Sequence, residues 1–133
     1  MNDRKFTFEL FPAFMAISRL HAKAPFPNWA KDSELTVMTR TPDEVCIVCA
    51  EIVVPKGIIA ERSMRLLRIK GPLEFNLVGV LSSILNYFTE AQISVFVFST
   101  YDTDYIMVKE KDLEHSLAAL YKNGHTVNVI KEK

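Results

Sequence analysis

Residues 93–108 read Ile93-Ser94-Val95-Phe96-Val97-Phe98-Ser99-Thr100-Tyr101-Asp102-Thr103-Asp104-Tyr105-Ile106-Met107-Val108. Two runs rich in β-branched and aromatic residues flank a polar segment, which predicts a hairpin with strands at 93–98 and 105–108 and a turn at 99–104. Upstream, Leu77, Val80, Leu81, Ile84, Leu85 and Phe88 recur at helical spacing. They predict an amphipathic helix over 77–91, with Asn76 placed to cap its start. Before it, 65–69 alternates as a strand and Gly71-Pro72 ends it. Downstream, Leu113, Leu117 and Leu120 mark a second helix over 111–122, and Asn123-Gly124 supplies residues that tolerate a left-handed cap. A last strand follows at 126–130. Strand, helix, strand, strand, helix, strand is the α+β, ferredoxin-like order, with two helices on one face of an antiparallel sheet.

The N-terminal half follows this plan less closely. Segments 6–10 and 14–20 read as strands, but Pro25-Phe26-Pro27-Asn28-Trp29 breaks any helix after them. A second hairpin, 35–40 and 45–53, turns at Thr41-Pro42-Asp43, and a weak helical turn is expected around 58–63. Laid over the first hairpin, Thr41-Pro42-Asp43-Glu44 matches Thr100-Tyr101-Asp102-Thr103-Asp104 with one residue inserted. The chain therefore reads as two copies of one unit, the first degenerate.

Composition narrows the function. The 133 residues are 49% hydrophobic, enough for one substantial core or two small ones. Sixteen Lys and Arg balance sixteen Asp and Glu, with the basic residues scattered, so no nucleic-acid partner is expected. The apolar runs are strand-sized and the N-terminus lacks the pattern of a signal peptide, which predicts a soluble, cytoplasmic protein with no membrane partner. Cys46 and Cys49 have the spacing of half a zinc site. They lie in a β-branched run, however, where residues three apart point to opposite faces, so they are expected to be reduced core cysteines that share no metal. His21, His115 and His125 are far apart, with His125 expected to serve as a cap or surface residue behind Gly124. Trp29 and Phe26 read as a packed loop plug. No catalytic triad, phosphate loop or supported carboxylate pair is present, so neither enzymatic activity nor a cofactor is expected.

Segments 71–81 (Gly71-Pro72-Leu73-Glu74-Phe75-Asn76-Leu77-Val78-Gly79-Val80-Leu81), 91–96 and 99–108 resemble the bacterial tandem ACT-domain proteins related to the CASTOR-type arginine sensors. The resemblance takes in Arg19-Leu20, Pro27-Asn28-Trp29, 39–44 and 124–127 as well, and so spans nearly the whole chain. It implies two ACT-like units, a degenerate one at 1–62 and a CASTOR-like ACT domain at 63–133, acting as a non-catalytic sensor of a small molecule. The ligand, an amino acid or similar effector, would lie between 74–79 and 99–104. One departure weakens the transfer of arginine itself: the acidic side chain expected before the helix glycine is absent from Leu77-Val78-Gly79.

The residues of that site can be weighed on their own chemistry. Glu74, Asn76, Leu77, Val78 and Gly79 lead into a helix whose first N–H groups suit a carboxylate, and Gly79 leaves room for backbone approach. Opposite them, Asp102 and Asp104 can hold an ammonium, with Ser99, Thr100, Tyr101 and Thr103 beside them. The simpler alternative is that Asp102 and Thr103 only form the turn and Asn76 only caps the helix. A sheet with helices on one face also leaves an edge to cover, so a homo-oligomer is expected. An empty oligomerisation module and a small enzyme on this scaffold are the competing readings.

Overall fold

Residues 4–73 and 78–131 are described by the structure, a computed structural model. Eight strands, β1 (Thr7–Leu10), β2 (Met15–Leu20), β3 (Val37–Arg40), β4 (Val45–Ala50), β5 (Ile59–Ile69), β6 (Phe96–Ser99), β7 (Asp104–Lys109) and β8 (Thr126–Val129), accompany two helices, α1 (Val80–Glu90) and α2 (Leu113–Lys122). They divide into two units, one formed by Ala13–Met64 and the other by Met1–Pro12 with Arg65–Lys133.

In the N-terminal unit (13–64) the strand order is β3-β4-β2-β5, and β2–β4, β3–β4 and β2–β5 are all antiparallel. In sequence terms this is second, third, first, fourth, the ferredoxin-like order. Both helices of that plan have shrunk to 3-10 turns, Asn28–Asp32 and Glu51–Val53. Before the first, Pro25 and Pro27 favour extended backbone, and Pro27 stands as the extended N-cap at ψ 141° from which only the short turn continues. The helical turn expected at 58–63 is instead strand, because Ile59, Ala60 and Glu61 pair with Arg19, Ser18 and Ile17. Val45, Ile47 and Cys49 of β4 share a core with Ala16, Ala30 and Val54, against which Trp29 packs. Trp29 is thus a plug, while Phe26 is 43% exposed. Cys46 falls on the other face of β4, so the two thiols point apart, and burial pushes the Cys49 thiol up to about 11.

The C-terminal unit repeats the order as β6-β7-β5-β8, with one addition: β1 is inserted between β5 and β8, antiparallel to the first and parallel to the second. Where the sequence suggests a single boundary at 62/63, the contacts divide the chain at 12/13 and 64/65, and residues up to Pro12 pack with the C-terminal unit. Phe8 and Leu10 provide the reason. They are buried with Leu67 and Ile69 of β5, Ile106 and Val108 of β7, and Val80, Ile84, Phe88 and Leu120 of the helices. One apolar cluster holding residues of both helices places both on a single sheet face. On the other side, Glu9 meets its register partner Arg68 at 2.9 Å. Within β5, Ile59, Ala60, Glu61 and Met64 pair with β2, and Leu67, Arg68 and Ile69 pair with β1.

The two hairpin turns are bonded alike. Thr41 N–H donates to Glu44 O at 2.9 Å and Thr41 Oγ1 to the same oxygen at 3.4 Å; Thr100 N–H and Oγ1 donate to Thr103 O at 2.9 and 3.4 Å. The turns thus align residue for residue, Asp43 over Asp102, and the inserted residue inferred from the sequence is not needed.

His125 is neither a surface residue nor a side-chain cap. It is 3% exposed, ringed by Phe6, Phe8 and Tyr87, and its Nδ1 accepts the Phe6 N–H at 2.9 Å. Burial, with the Lys5 cation next in weight, holds its pKa below the ordinary 6.5. The folded chain thus binds fewer protons here than the unfolded chain, so the stability gained is complete above about pH 6.5 and is lost as pH falls through the lowered pKa. Chemical denaturation of wild type and His125→Asn, which keeps an acceptor but cannot titrate, is expected to show a steeper acid loss in the wild type. Equal slopes would contradict this.

Candidate functional site

The site is built from the start of α1 and the turn between β6 and β7, both within the C-terminal unit. Helix α1 begins at Val80, three residues later than the periodicity suggests, because Gly79 stands at its N-cap with φ +78°, a left-handed conformation that cannot continue the helix. Among the described residues no side chain caps this end, and the N-cap glycine has none to offer, so first-turn N–H groups are available to water or a ligand. Among the described residues no atom lies within 4 Å of where a Cβ on Gly79 would stand.

The turn is anchored from behind. Thr103, 6% exposed, donates its hydroxyl to Ile69 O at 2.7 Å, and Leu73 N–H donates to Asp102 O at 2.8 Å. Gly71 permits this approach: a Cβ there would stand 3.1 Å from Asp102 O and 3.2 Å from Thr103 Cβ. Asp104, half-buried, accepts a hydrogen bond from Ser99 Oγ, its partner across the strands, while the Asp102 side chain is exposed.

Between these elements lies a cavity of about 320 Å³, lined by Leu73, Gly79, Val80, Leu81, Ser82 and residues 99–104. Gly79, Ser99, Thr100, Tyr101, Asp102, Thr103 and Asp104 are therefore brought together as the sequence suggests. Thr103 lines the wall, but its hydroxyl is committed to Ile69. Val78 is 88% exposed and does not line the cavity. Glu74, Asn76 and Leu77 lie outside the described residues. Sequence reading missed Leu73, Val80, Leu81 and Ser82. The later helix start moves Ser82 into the first turn, and the only signal for it was Gly79. The lining thus combines the first residues of α1 with Asp102, Asp104 and the apolar residues Leu73, Val80 and Leu81, and it contains no basic residue among the described residues. Among the described residues no helix is long and apolar enough to cross a membrane.

An ACT domain family model matches residues 59–122, and a second model, for the N-terminal domain of a family of similar chains, matches residues 14–57. No curated protein matches the chain in sequence. Among solved structures, an Agobacterium tumefaciens protein is 27% identical, with a TM-score of 0.89 over 97% of this chain and 96% of that one. A Vibrio cholerae protein of unknown function is 19% identical, with a TM-score of 0.73 over 90% of each chain. Aspartate kinase from Synechocystis is 13% identical, with a TM-score of 0.69 over 97% of this chain and 28% of the kinase. The last two likenesses concern the fold alone.

Proposed function

We propose that this chain is a non-catalytic regulatory module that senses a small molecule, and that the ligand is an α-amino acid bound in the cavity between α1 and the β6–β7 turn. The observation that carries the reading is the opposition of an uncapped helix start to Asp102 and Asp104 across about 320 Å³. The helix end favours a carboxylate and the aspartates an ammonium, and an α-amino acid carries both. The ACT domain match over 59–122 supports it, since ACT units generally bind amino acids or similar effectors. Kinship with the CASTOR-type sensors belongs to the same proposal and rests on the residues at 71–81 and 99–108.

Self-association is part of the reading: Tyr101, which lines the cavity, is 85% exposed, and Val78, next to Gly79 in the chain, is 88% exposed. Light scattering with and without ligand tests it.

A thermal-shift screen with the common amino acids tests the function. A ligand at a hundredfold excess over its Kd should add about 2.7 kcal/mol of stability. No response to any amino acid would favour an oligomerisation module without a ligand.

A further inference from the structure

The two hairpin turns share their hydrogen bonds, but the residues entering them differ in a consistent way. In the C-terminal unit the residue before the turn threonine is Ser99, small and paired across the strands with Asp104. The cavity opens between this turn and the segment that follows the unit's first strand, β5. In the N-terminal unit the same position is Arg40, paired across the strands with Val45. The Arg40 guanidinium reaches the segment that follows that unit's first strand, β2: Nη1 donates to Ala22 O, and Nη2 to Ala24 O at 2.6 Å. Serine has become arginine, the carboxylate has become an apolar side chain, and the gap between turn and loop is bridged by the chain itself. Although Arg40 is solvent-exposed, its planar fork donates to two carbonyls two residues apart, a pattern that a single ammonium point charge does not reproduce.

We propose that Arg40 is a built-in occupant of the N-terminal unit's counterpart to the ligand cavity, and that the Ala22 and Ala24 carbonyls form a subsite for a planar guanidinium-type cation. The chain would then offer one free ligand position in place of the two that a pair of related units can offer. The correspondence between the positions rests on the reading of the C-terminal cavity as a ligand site; the subsite rests only on the bonds of Arg40.

The test needs no amino acid. Arg40→Ala is expected to melt below wild type, and low-millimolar guanidinium or methylguanidinium chloride should recover most of the loss, whereas sodium chloride at equal concentration should not. Wild type, already occupied, should not gain. Amide exchange at residues 21–24 should quicken in the variant and slow again with guanidinium. A variant that melts like wild type, or that responds equally to both salts, overturns the proposal. If Arg40→Ala does not fold, Arg40→Lys keeps the charge without the fork, and the same titration decides: a guanidinium-specific gain supports the subsite and its absence refutes it. The amino-acid screen and this rescue fail separately, because each uses a different ligand and a different unit.

Discussion

Asp104→Ala is expected to abolish the stabilisation that an amino acid confers while leaving the unliganded fold intact. The carboxylate accepts the Ser99 hydroxyl through Oδ1, and among the described residues no protein donor bonds its second oxygen, which is left for a ligand ammonium. Losing a hydrogen bond to a charged group costs about 1.5–3 kcal/mol, or about 10- to 150-fold in affinity. Without ligand the change removes one bond at the edge of a hairpin, so the melting temperature should move little. Titration calorimetry with whichever amino acid stabilises the wild type measures the effect. An undiminished affinity, or a variant unfolded before ligand is added, would make Asp104 a turn residue and remove the cavity from consideration. Gly79→Asn is the companion change. Asparagine tolerates a left-handed backbone far better than valine, so it adds a side chain beside the helix start with little strain and should weaken binding by bulk.

The largest effect on stability is expected at Phe8. It is fully buried and stands edge-on to His125 at 5.7 Å, within the cluster that joins β1 to both helices. Truncating a buried phenylalanine costs about 3–5 kcal/mol. For a chain of this length that is a fall of about 10 to 20 °C in melting temperature. The location of the damage is diagnostic. If β1 belongs to the C-terminal unit, amide exchange in Phe8→Ala should quicken first in β5 and β8, the strands on either side of it. Quickening confined to residues 13–64 would instead return the first twelve residues to the N-terminal unit.

Much of the site could be read from the sequence, for a local reason. A polar run between two β-branched runs makes a turn wherever it occurs, and the seven residues 99–105 bring their acids and hydroxyls together through backbone bonds a few residues apart. Gly79 reads in sequence only as a position that leaves room for backbone approach; its positive φ emerges from the structure. The roles within the turn could not be read. Thr103 and Ser99 look equally available in sequence, yet Thr103 is turned inward to Ile69, a contact across 34 positions. Arg40 gave no signal, because its carbonyl partners lie 16 and 18 residues away in a loop without periodicity.

By itself, the sequence determined the elements: the hairpins, the two amphipathic helices, the α+β order of the C-terminal half, and the opposed faces of Cys46 and Cys49. These follow from periods of 2 and 3.6 residues and from turn chemistry, all local properties. Only the tertiary structure decided where β1 goes, that residues 59–63 extend as strand and that His125 is buried. Each of these depends on what a segment meets far along the chain. Phe8 finds its core beside Leu67 and Val108, the 59–61 backbone finds its donors and acceptors on β2, and the imidazole meets Phe6 across 119 positions. Burial and strand pairing across such separations outweigh local propensity, because the free energy of covering apolar surface and satisfying backbone groups exceeds the few tenths of a kcal/mol per residue that propensity supplies.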